Sequence, residues 1–234
     1  MSTKLYLVPS PLGDVEIGNV IPSVVFECIS HITHFAVEEI RSARRYLSKL
    51  GFKGNIESLN FYEINEHSTQ KDIEDIFAVL KGGNDMALIS EAGLPAVADP
   101  GAALVALAHK EDIEVVPFVG PSSLMMALMS SGLNGQCFAF CGYIPVKKED
   151  RRKRLKELEI RSKKYSETEI IIETPYRNDS LFDDILSTLQ PQTKVTVAAN
   201  ITMPDQYIRT KSVAQWRRCK TEINKRPCVF LIYA

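Results

Sequence analysis

Three short stretches of this sequence combine small residues with proline, and each ends an apolar run: VPSPLGD at 8–14, ISEAGLPAVADPG at 89–101 and FVGPSS at 118–123. Chemistry at such stretches belongs to the backbone, because a chain without bulky side chains lets N–H and C=O groups approach a ligand closely. In Gly120-Pro121-Ser122-Ser123 the proline suits the first position of a helix, whose exposed N–H groups favour a carboxylate or phosphate. Each stretch taken alone also reads as a plain turn. Neither Gly-x-Gly-x-x-Gly nor Gly-x-x-x-x-Gly-Lys-Ser/Thr occurs, which sets aside the common dinucleotide and P-loop patterns.

Other chemistry is poorly supplied. The five cysteines (Cys28, Cys137, Cys141, Cys219, Cys228) have no Cys-x-x-Cys spacing and are expected mostly as buried thiols. His31, His34, His67 and His109 form no His-Glu-x-x-His pattern, so no metal centre is expected. The net charge of −1 hides an asymmetry: residues 1–142 carry 9 Lys and Arg against 17 Asp and Glu, whereas residues 143–234 carry 19 against 12. With 45% hydrophobic residues, the composition is that of a soluble globular protein. No apolar run of about 18 residues and no basic-then-apolar leader are visible, so a cytoplasmic protein is the expectation.

The elements that must position these stretches alternate along the chain. Strands are expected at Leu5–Pro9, Ile32–Val37, Ser58–Tyr62, Met86–Ile89 and Glu114–Pro117, with helices at Val20–Ser30, Glu38–Leu50, Gln70–Lys81, Ala102–His109 and Ser122–Met129. That alternation implies a mostly parallel sheet covered by helices. Farther on, strands at Phe138–Cys141 and Glu169–Glu173 are separated by the charged helix Lys148–Ser162 and followed by a helix at Ser180–Leu189. Strands at Lys194–Ala199, Gln206–Arg209 and Cys228–Tyr233, with a short helix at Val213–Cys219, then suggest a mixed sheet. The boundary is placed between Gly132 and Gly142, giving α/β domains 1–132 and 133–234.

Taken together, LYLVPSPLGD, ISEAGLPAVADPG, VGPSS, FCGYIPVKKEDRR and ETPYR occur in an order that resembles the ribosomal RNA small subunit methyltransferase I family, within the tetrapyrrole methylases. The family versions read approximately VATPIGN, SDAGTPGISDPG, IPGPSA, GFLPRK and ESPHR. The resemblance implies two α/β domains, S-adenosylmethionine (SAM) in a cleft between them, and a homodimer. Carried over by motif, it implies cofactor contacts at Pro9, Pro11, Gly13, Glu91, Ala92, Gly93, Pro121, Ser122 and Ser123, with Ala198 from a later strand. Tyr143 and Glu173 are implied to close the pocket from the second domain.

The match is imperfect where an acceptor would be handled. VEEIRSARRYL (37–47) stands where the family reads AEDTRHTRKLL, and FYEINE (61–66) stands where it reads YHEHNE, with Tyr62 and Ile64 in the two histidine positions. Glu38 and Glu63 are the candidate catalytic carboxylates. In VAANITMPDQYI (197–208) the polar cluster of VARELTKLHEEI is replaced by Ala199, Asn200, Met203 and Gln206, which removes an Arg-Lys pair suited to phosphates. Residues 147–164 hold ten Lys and Arg against four acids, and Arg217, Arg218, Lys220, Lys225 and Arg226 lie near Trp216. These two clusters are candidates for holding RNA backbone, or are solvated faces. The expected function is SAM-dependent methyl transfer to RNA, at a ribose 2′-hydroxyl. The alternatives are a small-molecule or tetrapyrrole acceptor, and a SAM-binding relative without activity.

Overall fold

The first strand forms because Leu5 and Val8 are fully buried with Tyr6 in an extended run of five residues, too short to be a helix. The computed structural model describes residues 3–52, 54 and 56–234. Backbone contacts divide the chain into Met1–Ser122 and Ser123–Ala234.

In the first unit β1 (Lys4–Val8), β2 (His34–Val37), β3 (Asn60–Glu63), β4 (Met86–Ile89) and β5 (Glu114–Pro117) form one sheet in the order β3-β2-β4-β1-β5. Every pairing in it is parallel, as the alternation of elements requires. Helices α1 (Ser23–Ile29) and α2 (Ile40–Leu50) pack on the face shown by Tyr6, Val8, Phe35, Val37, Ala87 and Ile89. Helices α3 (Gln70–Lys81) and α4 (Ala102–Lys110) cover the opposite face, shown by Leu5, Ala36, Met86 and Leu88. The period of two along each strand thus feeds two separate cores. The chain leaving β1 runs toward β2 and that leaving β4 runs toward β5, in opposite directions. Such a reversal leaves a crevice above the carboxyl ends of the two strands.

In the second unit β6 (Phe138–Tyr143), β7 (Thr168–Glu173), β8 (Lys194–Ala199), β9 (Tyr207–Ser212) and β10 (Cys228–Tyr233) take the order β6-β7-β10-β8-β9. Only β6 and β7 are parallel, so the sheet is mixed as expected. One face is covered by α6 (Lys148–Tyr165), α7 (Asn178–Thr188) and α8 (Val213–Trp216). Helix α5 (Ser123–Ser131) packs on β8, β9 and β10, which moves the division of the chain to Ser122 from the position after Gly132 read in the sequence. Gly142, at φ +66°, carries a register shift between β6 and β7 and brings Tyr143 opposite Ile172.

The basic stretch is partly structural. Arg151 is buried, donating through Nε to Asp184 at 2.8 Å and through Nη2 to the Ser180 hydroxyl at 2.8 Å, while Arg152 reaches the other Asp184 oxygen at 2.7 Å. Burial disfavours the charged Asp184, yet the two guanidiniums outweigh it and hold its carboxyl below the ordinary range. Arg161 pairs with Glu167 at 2.7 Å, and Glu157 pairs with Arg154 rather than Lys153. Trp216 is fully buried and donates its indole N–H to Val195 O at 2.8 Å, so it offers no stacking face. Arg217 is spent on the carbonyl of Leu186 at the end of α7. All five cysteines are free, and only Cys228 is buried outright. Among the described residues no helix is long and apolar enough to cross a membrane.

Removing one partner of the buried pair strands a charge. Arg151→Ala is expected to cost about 3–5 kcal/mol in urea denaturation, whereas Lys153→Ala, on the exposed side of the same helix, should stay within about 0.5 kcal/mol.

Candidate functional site

The three small-residue stretches meet above β1 and β4. Ser10 exchanges backbone hydrogen bonds with Gly93, N–H to O at 2.8 Å and O from N–H at 3.0 Å, and its hydroxyl donates to Ser90 O at 2.8 Å. Tyr46 of α2 donates its hydroxyl to Pro9 O at 2.6 Å, and burial pushes that phenol well above its usual range. The third stretch closes against the first at one place. A Cβ on Gly120 would lie 2.1 Å from Pro9 Cβ, so only glycine lets these loops touch. A Cβ on Gly93, at φ +80°, would meet Leu12 at 3.3 Å and Pro121 O at 3.5 Å.

A cavity of about 490 Å³ opens beside this junction, between the 10–17 loop, the start of α2 and residues 89–92. Pro11, Gly13, Glu91 and Ala92 line it, as does Glu38. Glu38 accepts the Glu91 N–H at 3.1 Å, and the Glu91 carboxylate accepts from the Ser42 hydroxyl. Glu39 caps α2, taking the N–H groups of Arg41 and Ser42 at 2.7 Å each, which holds its carboxyl below the usual range. Lys49 and Arg45 of α2 also line the cavity. Asp99 sits in a loop where Gly93, Ala96, Ala98 and Gly101 all have positive φ. Its carboxyl is pushed up to about 6, chiefly by burial, then by the charge of Glu38, with Glu91 adding to it. Among the described residues no group of His, Cys, Asp and Glu is arranged to hold a metal ion.

Of the residues singled out in the sequence, Pro9, Pro11, Gly13, Glu38, Glu91, Ala92, Gly93 and Pro121 are thus gathered on one edge of the first unit, with Ser122 directly after Pro121. Glu63 is not. It ends the outer strand β3 opposite Val37 and stays outside the cavity lining. The two positions that carry histidine in the family pattern do not face the cavity either. Ile64 is buried in the α3 core, and Tyr62 bonds to His34 Nδ1 at 2.8 Å.

In the second unit Ser123 opens α5, and Ala198 is buried on the sheet face opposite Val197 and Ala199. Tyr143 is exposed at the end of β6. Glu173 is buried at the end of β7, one oxygen accepting from Thr174 N–H at 2.7 Å and from Arg177, the other without a partner. Asn200 and Thr202, both at positive φ, close the β8–β9 turn with Asp205 and Gln206, so the replaced polar cluster here serves the turn itself.

Sequence reasoning missed Ser10, Ser90 and Asp99. A serine between two prolines, a serine directly after the wholly buried β4, and an aspartate before Pro100 were the available signals.

Comparison with known proteins places this arrangement. The family model described as Tetrapyrrole (Corrin/Porphyrin) Methylases matches residues 30–216. The ribosomal RNA small subunit methyltransferase I of Vibrio cholerae serotype O1 is 30% identical over 211 residues, covering 90% of this chain and 69% of that protein. The protein of the same name from Synechocystis sp. is 31% identical over 198 residues, covering 85% of this chain and 67% of that one. Among solved structures, the methyltransferase CobJ superposes with a TM-score of 0.65 at 15% identity, covering 100% of this chain and 94% of that one. The uroporphyrin-III-C-methyltransferase from Thermus thermophilus gives 0.55 at 15% identity, covering 100% and 93%. These two share the fold.

Two outcomes test the site's construction. Gly120→Ala should destabilise the protein by about 1–3 kcal/mol through overpacking against Pro9, read from its urea midpoint. Asp99 binds its proton more tightly folded than unfolded, so its ionisation costs stability as pH rises from about 4 to about 6. Asp99→Asn should therefore melt at a higher temperature than the parent at pH 7.5, with the gap closing toward pH 4.

Proposed function

Since this chain belongs to the tetrapyrrole methylase family and is a methyltransferase, we propose that it binds SAM at the junction of its three small-residue bends and methylates RNA at a ribose 2′-hydroxyl. The observation that carries the reading is the contact of Pro9 with Gly120 and of Ser10 with Gly93 above the switch in strand direction. The residues suit the cofactor. Glu38 and Glu91 would offer carboxylates to its sulfonium cation, and loops that a single Cβ would fill would offer backbone donors and acceptors to its uncharged parts.

Pro9, Pro11, Gly13, Glu91, Ala92, Gly93, Pro121 and Ser122 would hold it, with Ser123, Tyr143, Glu173 and Ala198 assigned by the resemblance. When bound, SAM supplies a methyl group already activated for transfer. What remains for the protein is alignment, and orientation of two reactants is worth about 7–11 kcal/mol of barrier. The 490 Å³ cavity is of a size to admit one nucleoside, and Glu38, Glu91 and Ser90 on its wall fix an acceptor's position.

RNA as acceptor is supported by the names of the curated relatives and by the charge of the second half of the chain. With Arg151 buried and Arg152 and Arg161 held in ion pairs, the bases left to phosphates include Lys153, Lys156, Lys163 and Lys164, all exposed on α6. Homodimerisation, implied by the resemblance, belongs to the same proposal.

Calorimetry should show SAM and S-adenosylhomocysteine binding, and methyl-labelled SAM with small ribosomal subunits should yield a 2′-O-methylated nucleoside on digestion. Replacing the four lysines with alanine should weaken RNA binding and flatten its salt dependence while SAM affinity stays within about twofold. Label passing to a polycarboxylate tetrapyrrole and not to RNA would replace the acceptor; no heat with either ligand would remove the cofactor.

A further inference from the structure

We propose that Tyr176 is a stacking face for an unpaired base of single-stranded RNA and that Lys225 beside it takes the neighbouring phosphate. The inference rests on the RNA reading above and lies wholly within the second unit.

Trp216, the aromatic residue nearest in sequence to the basic cluster after α8, is core. The folded chain brings that cluster a different ring. Tyr176 stands on the short turn Pro175–Arg177 that follows β7, and at 79% exposure it is the most open aromatic side chain among the described residues. Lys225, far along the chain in the loop before β10, sets its ammonium 6.0 Å from the centre of that ring. Lys225 is exposed and forms no ion pair among the described residues.

An exposed ring gains little from burial, so its position has to be held by the backbone under it. The Lys225 N–H donates to Pro175 O at 3.0 Å, which joins the two loops at the pair itself. Asn178, fully buried, spends its side-chain amide on Ile223 O at 3.0 Å and Arg226 O at 2.6 Å, clamping the same loop to the start of α7. The Arg177 N–H closes the turn on Thr174 O at 2.9 Å, and its guanidinium is tied to the buried Glu173. Lys225 sits at φ +60°, a region that side-chain-bearing residues seldom occupy and that persists where neighbours impose it. The face is therefore built before any ligand arrives.

These properties select the ligand. A base in a duplex already stacks on its neighbours, so a fixed and open ring serves a strand whose bases are free, as in RNA loops and ends. Every base has a π face, and the ammonium adds a contact to phosphate, which every nucleotide offers. Asp205 pairs with Arg226 at 3.2 Å and Glu173 with Arg177, which removes two acids that would otherwise repel that phosphate. Tyr165 also has an ammonium over its ring, Lys164 at 4.9 Å, but there the cation is the preceding residue and the pair follows from chain adjacency.

The test measures binding of the full chain to a short single-stranded oligoribonucleotide and to the same strand in a duplex, beside methyl transfer from labelled SAM to small ribosomal subunits. Tyr176→Ala should weaken single-strand binding about 5- to 150-fold, the range for a base stacked on an aromatic ring, and leave duplex binding and melting temperature unchanged. Tyr176→Phe should keep the affinity, and the emission of Tyr176→Trp should be quenched by the single strand and not by the duplex. Lys225→Asn, a residue at home in left-handed backbone, should lower the salt slope of binding by about one. A parent with no affinity for the strand, a Tyr176→Ala protein that binds it as the parent does, or Tyr176→Trp emission that it leaves unchanged overturns the stacking face, while transfer to RNA by the parent keeps the proposed function. The expected losses in a parent that methylates no RNA uphold the face and remove the acceptor instead.

Discussion

Everything at the working edge of the first unit depends on two loops being able to touch. Pro9 and Gly120 come closer than any side-chain-bearing residue at position 120 would allow, and the Ser10–Gly93 pair joins the same turn to the stretch after β4. The contact joins loops that follow β1, β4 and β5, neighbours in the parallel sheet, and the connections leaving β1 and β4 run in opposite directions. Small residues then let backbone atoms form the walls. A ligand held at the junction would be recognised through shape and main-chain polarity.

The polar groups that are present have been divided between building and acting. Glu39 ties down the start of α2, Glu38 fixes the Glu91 amide, and Ser10 fixes the Ser90 carbonyl. What these bonds leave over is the buried hydroxyl of Ser90, which stands on the cavity wall without a hydrogen-bond partner.

The second unit makes the same division among its cations. Asp184 draws Arg151 and Arg152 inward, Glu167 takes Arg161, and Arg217 ends α7, so a stretch that reads as a uniform basic patch is half internal scaffold. The exposed lysines of α6 are the part of that charge a polyanion can reach. Burial of Trp216 against Val195 O and Phe182 likewise makes it part of the core.

Strand and helix content were legible because both cores repeat at short range: the period of two in Tyr6, Val8 and the period near four in Ala43, Leu47 mark β1 and α2 within a few residues. The small-residue loops were legible as places of close backbone approach because glycine and proline state backbone geometry directly. Sequence alone therefore determined the elements, their alternation, the family likeness and most of the residues at the junction. Tertiary structure alone decided that α5 joins the second sheet, that Ile64 and Tyr62 face away from the cavity, that Glu63 stands outside it, and that the Ser90 hydroxyl is left unpartnered on its wall. The reason is one of range: propensity and periodicity are properties of neighbours in the chain, whereas burial, ion pairing and an orphaned hydroxyl are set by residues that only the folded sheet brings together.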